Sequence, residues 1–244
     1  MLPFISYMTF PSHRLFHLLL LISLFGSAVF AQIAVNTDNW CRQGLFTVDS
    51  RDFGVSFVKG GKGTKTYFYG DDSERCPESV NCRTKSYVVS GDTVITNRKR
   101  GDYVCAWYSP LKGSPTVGWL KASDLDSPEM LSDASEKVWV GEWLYADNNI
   151  IFAPTNQPDT LNVKGNAFWK GFGDNIHIGE IDGVATYKEG TLEYSDGTGK
   201  YDCRVSMQLA TEKFLIVADN MNCGGANVTF SGIYRKNSAK RKKN

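Results

Sequence analysis

The sequence predicts an all-β chain of two successive antiparallel barrels, and three observations carry that prediction. Short runs alternate large apolar side chains with small or polar ones, the period of a half-buried strand. Turns rich in Gly, Asp and Ser separate these runs. Beyond the N-terminal leader, no segment keeps an apolar stripe at helical spacing for long enough to cover a sheet.

The leader comes first. Residues 1–31 of the 244 contain no acid and one basic side chain, Arg14. They hold the apolar run Leu18-Leu19-Leu20-Leu21-Ile22-Ser23-Leu24-Phe25 and end in Ala28-Val29-Phe30-Ala31. This is the layout of a secretory signal peptide cleaved near Ala31, with Met8 as an alternative start. The apolar centre is too short to favour a spanning helix, and no Cys follows closely enough to take a lipid. A periplasmic or secreted protein is expected. Cleavage removes His13 and His17, leaves His177 as the only imidazole, and puts all six Cys where thiols pair. A multi-His metal site is thereby excluded, and thiol nucleophiles and cytoplasmic nucleotide chemistry are disfavoured. No cofactor and no metal is expected.

In the folded body, strands are predicted over 53–58, 64–69, 85–89, 93–97, 103–108 and 116–120. The turns between them include Gly60-Gly61-Lys62-Gly63, Ser90-Gly91-Asp92 and Lys99-Arg100-Gly101-Asp102. Strands this short at this spacing suggest a small barrel. Residues 124–137 are polar, include Pro128, and lack strand alternation. They divide the chain into a first domain over 32–126, a linker over 127–137 with room for one helical turn, and a second domain over 138–235. Ten further strands are predicted there: 138–146, 150–153, 160–163, 167–170, 175–181, 183–188, 191–195, 202–210, 213–218 and 227–234. The acid-Gly pairs Asp182-Gly183, Glu189-Gly190 and Asp196-Gly197 are read as hairpin turns. So many short strands fit a closed or nearly closed antiparallel barrel.

Charge divides the same way. The chain carries 27 Lys and Arg against 26 Asp and Glu, yet 32–234 holds 20 basic and 26 acidic groups. Arg235 and the tail over 236–244 supply six basic groups and no acid. Such a run repels itself and is read as a solvated, disordered tail, able to make weak contact with an anionic surface. With an acidic body and an export signal, nucleic acid is not an expected partner.

Cys41, Cys76, Cys82 and Cys105 precede the linker, and Cys203 and Cys223 follow it. Pairing within domains forces Cys203–Cys223. The first four allow three connectivities, and Cys76–Cys82 with Cys41–Cys105 is preferred because the short Cys-Pro-Glu-Ser-Val-Asn-Cys loop can clip a hairpin.

The first domain contains the runs Thr66-Tyr67-Phe68-Tyr69, Tyr87-Val88-Val89-Ser90-Gly91-Asp92-Thr93-Val94, Gly101-Asp102-Tyr103-Val104-Cys105-Ala106-Trp107-Tyr108, and Gly118-Trp119-Leu120 with Leu125 after it. On these runs, residues 65–126 resemble a bacterial SH3-like (SH3b) domain. The insertion at 76–82 and the segment 32–63 depart from that module. The resemblance implies binding of cell-wall peptide or another envelope protein through aromatic rings in a shallow groove. Tyr67, Tyr69, Trp107 and Tyr108 are the candidates, with Trp119 expected in the core. The second half opens with Trp139-Val140-Gly141-Glu142-Trp143 and closes with Asn227-Val228-Thr229-Phe230-Ser231-Gly232-Ile233-Tyr234-Arg235, and on these runs it is similar to a short lipocalin-like barrel of exported bacterial proteins. That likeness implies an Arg from the last strand packed against a Trp of the first. The segment is shorter than a lipocalin and lacks its flanking helix.

Two polar clusters complete the candidates. Asp174, His177, Glu180 and Asp182 can offer an acid/base pair or a weak divalent site, but on a strand His177 and Glu180 face opposite sides unless Gly179 marks a bulge. The loop 219–227 holds Asn220, Asn222 and Asn227 beside Cys223, and Asn220 and Asn227 are candidate binding amides. Gly-x-Ser-x-Gly is missing, the calcium-like run from Asp196 meets Met207 where a Glu is needed, and Gly61-Lys62-Gly63 lacks the Ser or Thr of a phosphate loop. The expected function is a non-catalytic envelope binding protein. The alternatives are a secreted inhibitor of a wall-degrading enzyme of the lysozyme type, acting through 195–201, and a hydrolase using paired carboxylates.

Overall fold

The computed structural model describes residues 40–47, 52–110, 112–127, 130–131 and 134–238. The leader and most of the basic tail, 239–244, lie outside the described residues. Fifteen described strands form two antiparallel sheets, and the protein is all-β.

The first sheet contains β1 (Gly54–Val58), β2 (Lys65–Tyr69), β3 (Arg83–Val89), β4 (Thr93–Arg100), β5 (Tyr103–Tyr108), β6 (Thr116–Lys121) and the two-residue β7 (Leu125–Asp126). Their order is β3-β2-β6-β5-β4-β1-β7, a curled half-barrel with β3 and β7 at its edges. Alternation sends Val58, Phe68, Val88, Val94, Val104 and Leu120 to one face. Val55, Ile95, Tyr103, Cys105, Trp107 and Trp119 go to the other. Both faces are covered, so Tyr103 to Trp107 are buried consecutively on β5, as in a central strand with no wet side.

The second sheet contains β8 (Gly141–Tyr145), β9 (Asn148–Pro154), β10 (Thr160–Lys170), β11 (Ile176–Lys188), β12 (Thr191–Ser195), β13 (Arg204–Thr211), β14 (Phe214–Asp219) and β15 (Gly232–Lys236). It closes into an eight-stranded barrel when β15 pairs with β8. Its interior is filled. Trp139, Trp143, Phe152, Phe230 and Tyr234 are fully buried inside it. A Cβ on Gly165 would stand 3.0 Å from Ile181 Cγ1 and 3.1 Å from Phe230 Cε1.

Several predicted boundaries change, each for a packing reason. The stretch 138–146 is not one strand: Glu136–Trp139 form a helical turn, α1, that drops Trp139 into the barrel, where its carbonyl accepts Trp143 Nε1–H at 2.8 Å. Predicted strands 160–163 and 167–170 merge into β10, because Gly165 marks close approach to Phe230 rather than a break. Asp182-Gly183 is not a turn. These residues lie within β11 opposite Lys164 and Val163, and Gly183 makes room for the Tyr194 ring, 3.1 Å from where its Cβ would be. Glu189-Gly190 does turn, both residues having positive φ. Predicted strand 227–234 shortens to β15, because Asp219 draws off the segment before it. Its carboxylate accepts from Thr229 Oγ1 (2.8 Å), Phe230 N (2.8 Å) and Ser231 Oγ (2.9 Å).

The Arg expected against a Trp is elsewhere. Lys236 Nζ stands 5.3 Å from the Trp143 ring centre and donates to the Lys137 and Val138 carbonyls. Arg235 instead lies over Phe214 and donates through Nη2 to Ser109 O (3.0 Å), Ser109 Oγ (2.7 Å) and Pro110 O (3.1 Å). The outer surface of β13–β15 thus packs on the first sheet, with Ala210, Ile216 and Ile233 in one cluster with Val55 and Trp119.

Three disulfides tie these elements, in the connectivity preferred from the spacing: Cys41–Cys105, Cys76–Cys82 and Cys203–Cys223. Loop closure alone makes them worth about 4, 2 and 3 kcal/mol respectively.

Candidate functional site

Strands β2 and β3 read Lys-Thr-Tyr-Phe-Tyr and Arg-Thr-Lys-Ser-Tyr-Val-Val, and neither contains an acid. Alternation on β2 sends Thr66 and Phe68 into the core and leaves Lys65, Tyr67 and Tyr69 on the other face. The register sets Tyr67 directly opposite Tyr87, with ring centres 5.8 Å apart and planes at 60°. A cation covers each ring: Arg83 Cζ is 4.6 Å from the Tyr67 centre and Lys65 Nζ is 4.1 Å from that of Tyr87. Arg83 to Tyr87 are all exposed, and Tyr87 keeps 43% of its surface in solvent.

This strip lies on an edge strand that is not left flat. A bulge interrupts the β2–β3 register between Tyr67 and Tyr69, and Thr84 Oγ1 fills the gap by donating to Phe68 O at 3.0 Å and accepting from Ser86 N at 3.2 Å. On the same strand, Thr84 and Ser86 line a groove of about 320 Å³ with Arg42, Tyr69, Thr116 and Val117. Arg42 is held there by Asp71, at 2.9 Å and 3.2 Å, and Asp71 also accepts Cys41 N–H at 3.0 Å. The hydrogen bond to Asp71 pushes the Arg42 guanidinium above its ordinary value.

The candidate aromatic residues do not form one groove. Tyr67 is half-buried and belongs to the strip. Tyr69 is half-buried and turns edge-on to Tyr103 at 5.1 Å. Trp107 is buried and meets Phe214 edge-on at 5.4 Å, so it serves the joint between the two sheets. Tyr108 pairs with Thr116 at the far end of β5, and burial followed by Asp92 pushes its phenol up. Trp119 is fully buried.

The polar clusters resolve into structural roles. His177 lies on Trp169 with ring centres 5.0 Å apart, and its Nδ1 meets Ala226 O at 2.5 Å. Glu180 is exposed three residues along β11, on the opposite side of the strand, and Gly179 keeps its register with Ala167. The two do not form a pair. Asn220 is spent on the chain: Oδ1 accepts from Arg204 N and Asn222 N, and Nδ2 donates to Asp202 O at 2.8 Å. Asn227 is exposed with φ 66°, the conformation that Asn tolerates in a tight turn. No cluster of three or more His, Cys, Asp or Glu side chains able to hold a metal occurs among the described residues.

The larger hollow, about 870 Å³, is bounded by β1, β4 and β7 and includes Ser56, Thr96, Asn97 and Ser127. Its polar groups are partly engaged, Ser56 Oγ with Ser127 Oγ at 2.9 Å and Asn97 Nδ2 with Phe46 O at 2.9 Å.

Lys65, Arg83 and Tyr87 were not singled out from the sequence. The signal is present, since two acid-free segments each carry a Tyr two or four residues from a cation. Reading it requires the cross-strand register. No protein-family model, curated protein or solved structure matches this chain.

Proposed function

We propose that this is a non-catalytic binding protein of the bacterial envelope, exported by its leader, that holds an extended peptide of the cell wall or of a protein partner on the β2–β3 strip. The single observation behind this reading is the Tyr67–Tyr87 pair bracketed by Lys65 and Arg83 on an exposed strand. Tyrosine pairs supply contact area at low entropic cost, and their positions are set here by the β-ladder rather than by a loop. The resemblance of 65–126 to SH3-like modules points the same way. The filled barrel favours recognition at a surface over capture of a small ligand inside it. Glu180 stands on the opposite side of β11 from His177, and all six Cys are held in disulfides.

A pull-down on isolated peptidoglycan and on envelope extract tests the reading. Retention by the wild type, reduced at least tenfold in Tyr67→Ala/Tyr87→Ala, is expected. Equal retention of the two proteins, or none above a denatured control, defeats it.

One observation favours a second reading, inhibition of a wall-degrading enzyme. The loop after β12 is braced by Asp202, which accepts Gly199 N–H, and by Arg204 Nη2 donating to Gly199 O at 2.6 Å. It presents Tyr201 with 77% of its surface exposed. A braced loop with one projecting ring suits insertion into a cleft. Lysozyme assays with and without the protein decide it, and unchanged activity removes the idea.

A further inference from the structure

We infer that the ligand of the β2–β3 strip is an acidic extended peptide, with carboxylates at alternate positions i and i+2 that engage Lys65 and Arg83 while the residue between them crosses the tyrosine row. This rests on the peptide-binding reading and specifies its chemistry.

Charge is the first argument. Lys65, Arg83 and Lys85 are exposed on two strands that carry no acid, on a body whose charge is otherwise negative. Asp71, just beyond β2, is already bonded to Arg42, and Asp92, after β3, accepts Val89 N–H at 2.8 Å. The basic spot is therefore local and is complementary to an anionic chain.

Spacing is the second. Lys65 lies two residues before Tyr67 on β2, and Arg83 pairs with Tyr69, two residues after it. Backbone positions four residues apart are about 14 Å apart along a strand. Each cationic head covers one ring of the same Tyr67–Tyr87 row, and the two ring centres are 5.8 Å apart. In an extended ligand, side chains at i and i+2 share one face at about 7 Å, comparable to the 5.8 Å between the rings that the two heads cover.

The rings supply the third argument. Sugar recognition uses open aromatic faces, but here each tyrosine has one face under a cation, and the two rings meet at 60° rather than forming one flat platform. What the strip offers to solvent is the ammonium and guanidinium N–H of exposed Lys65 and Arg83 beside exposed Tyr87. That donor-rich set suits carboxylates and main-chain carbonyls. An acidic peptide uses it more fully than a glycan does.

The test measures fluorescence anisotropy with the full mature chain. The probes are a labelled nonapeptide with Glu at two alternate central positions, the same peptide with Gln at those positions, and an unlabelled polyuronate as competitor. The Glu peptide is expected to bind at least tenfold more tightly than the Gln peptide. Its advantage should shrink as salt rises from 50 to 500 mM, and Lys65→Gln/Arg83→Gln should abolish it while the circular dichroism spectrum stays that of the folded wild type. Equal binding of the two peptides overturns the inference and leaves the peptide-binding reading intact. Polyuronate displacing the Glu peptide more strongly than unlabelled Glu peptide does, at equal carboxylate concentration, also overturns it in favour of a glycan. If neither peptide binds, the inference fails, while the peptidoglycan and envelope pull-down judges the broader reading separately.

Discussion

The phenol of Tyr194 closes the seam between β11 and β12 by bonding both backbone groups of Asp182. Asp182 N–H donates to Tyr194 Oη at 3.3 Å, and Tyr194 Oη donates to Asp182 O at 3.4 Å. The two strands pair directly only at Tyr187–Leu192 and Lys188–Thr191, so a side chain replaces main-chain bonds where they diverge. Tyr194→Phe should therefore lower unfolding free energy by about 1–2 kcal/mol, because it strips a part-buried peptide of its partner. Urea denaturation measures this, and hydrogen exchange should show the Asp182 amide losing protection first. Gly183→Val, which needs the space held by the Tyr194 ring, should destabilise at least as much.

Further along the same seam, the disulfide-tied loop takes over. Gly179 and Gly224 bridge, and Gly225 N donates to Ile178 O at 3.2 Å. A Cβ at Gly179 would meet Cys223 O at 2.4 Å, so the loop lies directly on the strand. Cys203→Ser/Cys223→Ser should cost about 3 kcal/mol by the loop-entropy argument. It should also raise amide exchange at Gly225 well before the rest of the barrel opens.

Arg235 joins the sheets. Arg235→Ala removes the Nη2 donor of hydrogen bonds to Ser109 O, Ser109 Oγ and Pro110 O, and the cation over Phe214. A loss of about 2–3 kcal/mol is expected, with Arg235→Lys recovering only part of it. Trp107, which meets Phe214 edge-on, should report the loosening as a red shift in its fluorescence.

The phenol of Tyr234 gives the alkaline limit. Burial, the largest cause, holds it well above the ordinary tyrosine range, and burial raises Tyr145 beside it as well. The folded protein keeps protons that the unfolded chain releases near pH 10. Stability should thus be unaffected by these groups at neutral pH and should fall above about pH 10, by up to about 1.4 kcal/mol per pH unit for Tyr234. Denaturation midpoints between pH 8 and 11 check the slope, and Tyr234→Phe should flatten it.

Much of the first sheet was legible because its turns are unambiguous. The Gly-rich stretch after Val58 and the Gly91 and Gly101 turns punctuate strands whose predicted and observed limits differ by a few residues. The barrel was less legible where a glycine had two possible meanings. Gly165 and Gly183 look like breaks in a one-dimensional reading, but they are contact points for Phe230 and Tyr194, which only the folded chain brings near. Trp139 misled for a related reason: an aromatic next to Val138 and Val140 fits a strand, and the barrel's need for a plug makes it helical. At the candidate site Tyr67 was visible alone. Tyr87, Lys65 and Arg83 became meaningful only once register placed them around it.

The position of β15 carries a consequence for biogenesis. Residues 232–236 pair with β14 and β8, send Ile233 into the cluster shared with the first sheet, and place Arg235 on Ser109. Synthesis delivers these residues only after β1–β14. Neither the barrel nor its seat on the first sheet can be completed until β15 is available. Strands β8–β14 therefore wait as an open sheet, with the strand that closes them the last of the fifteen to arrive.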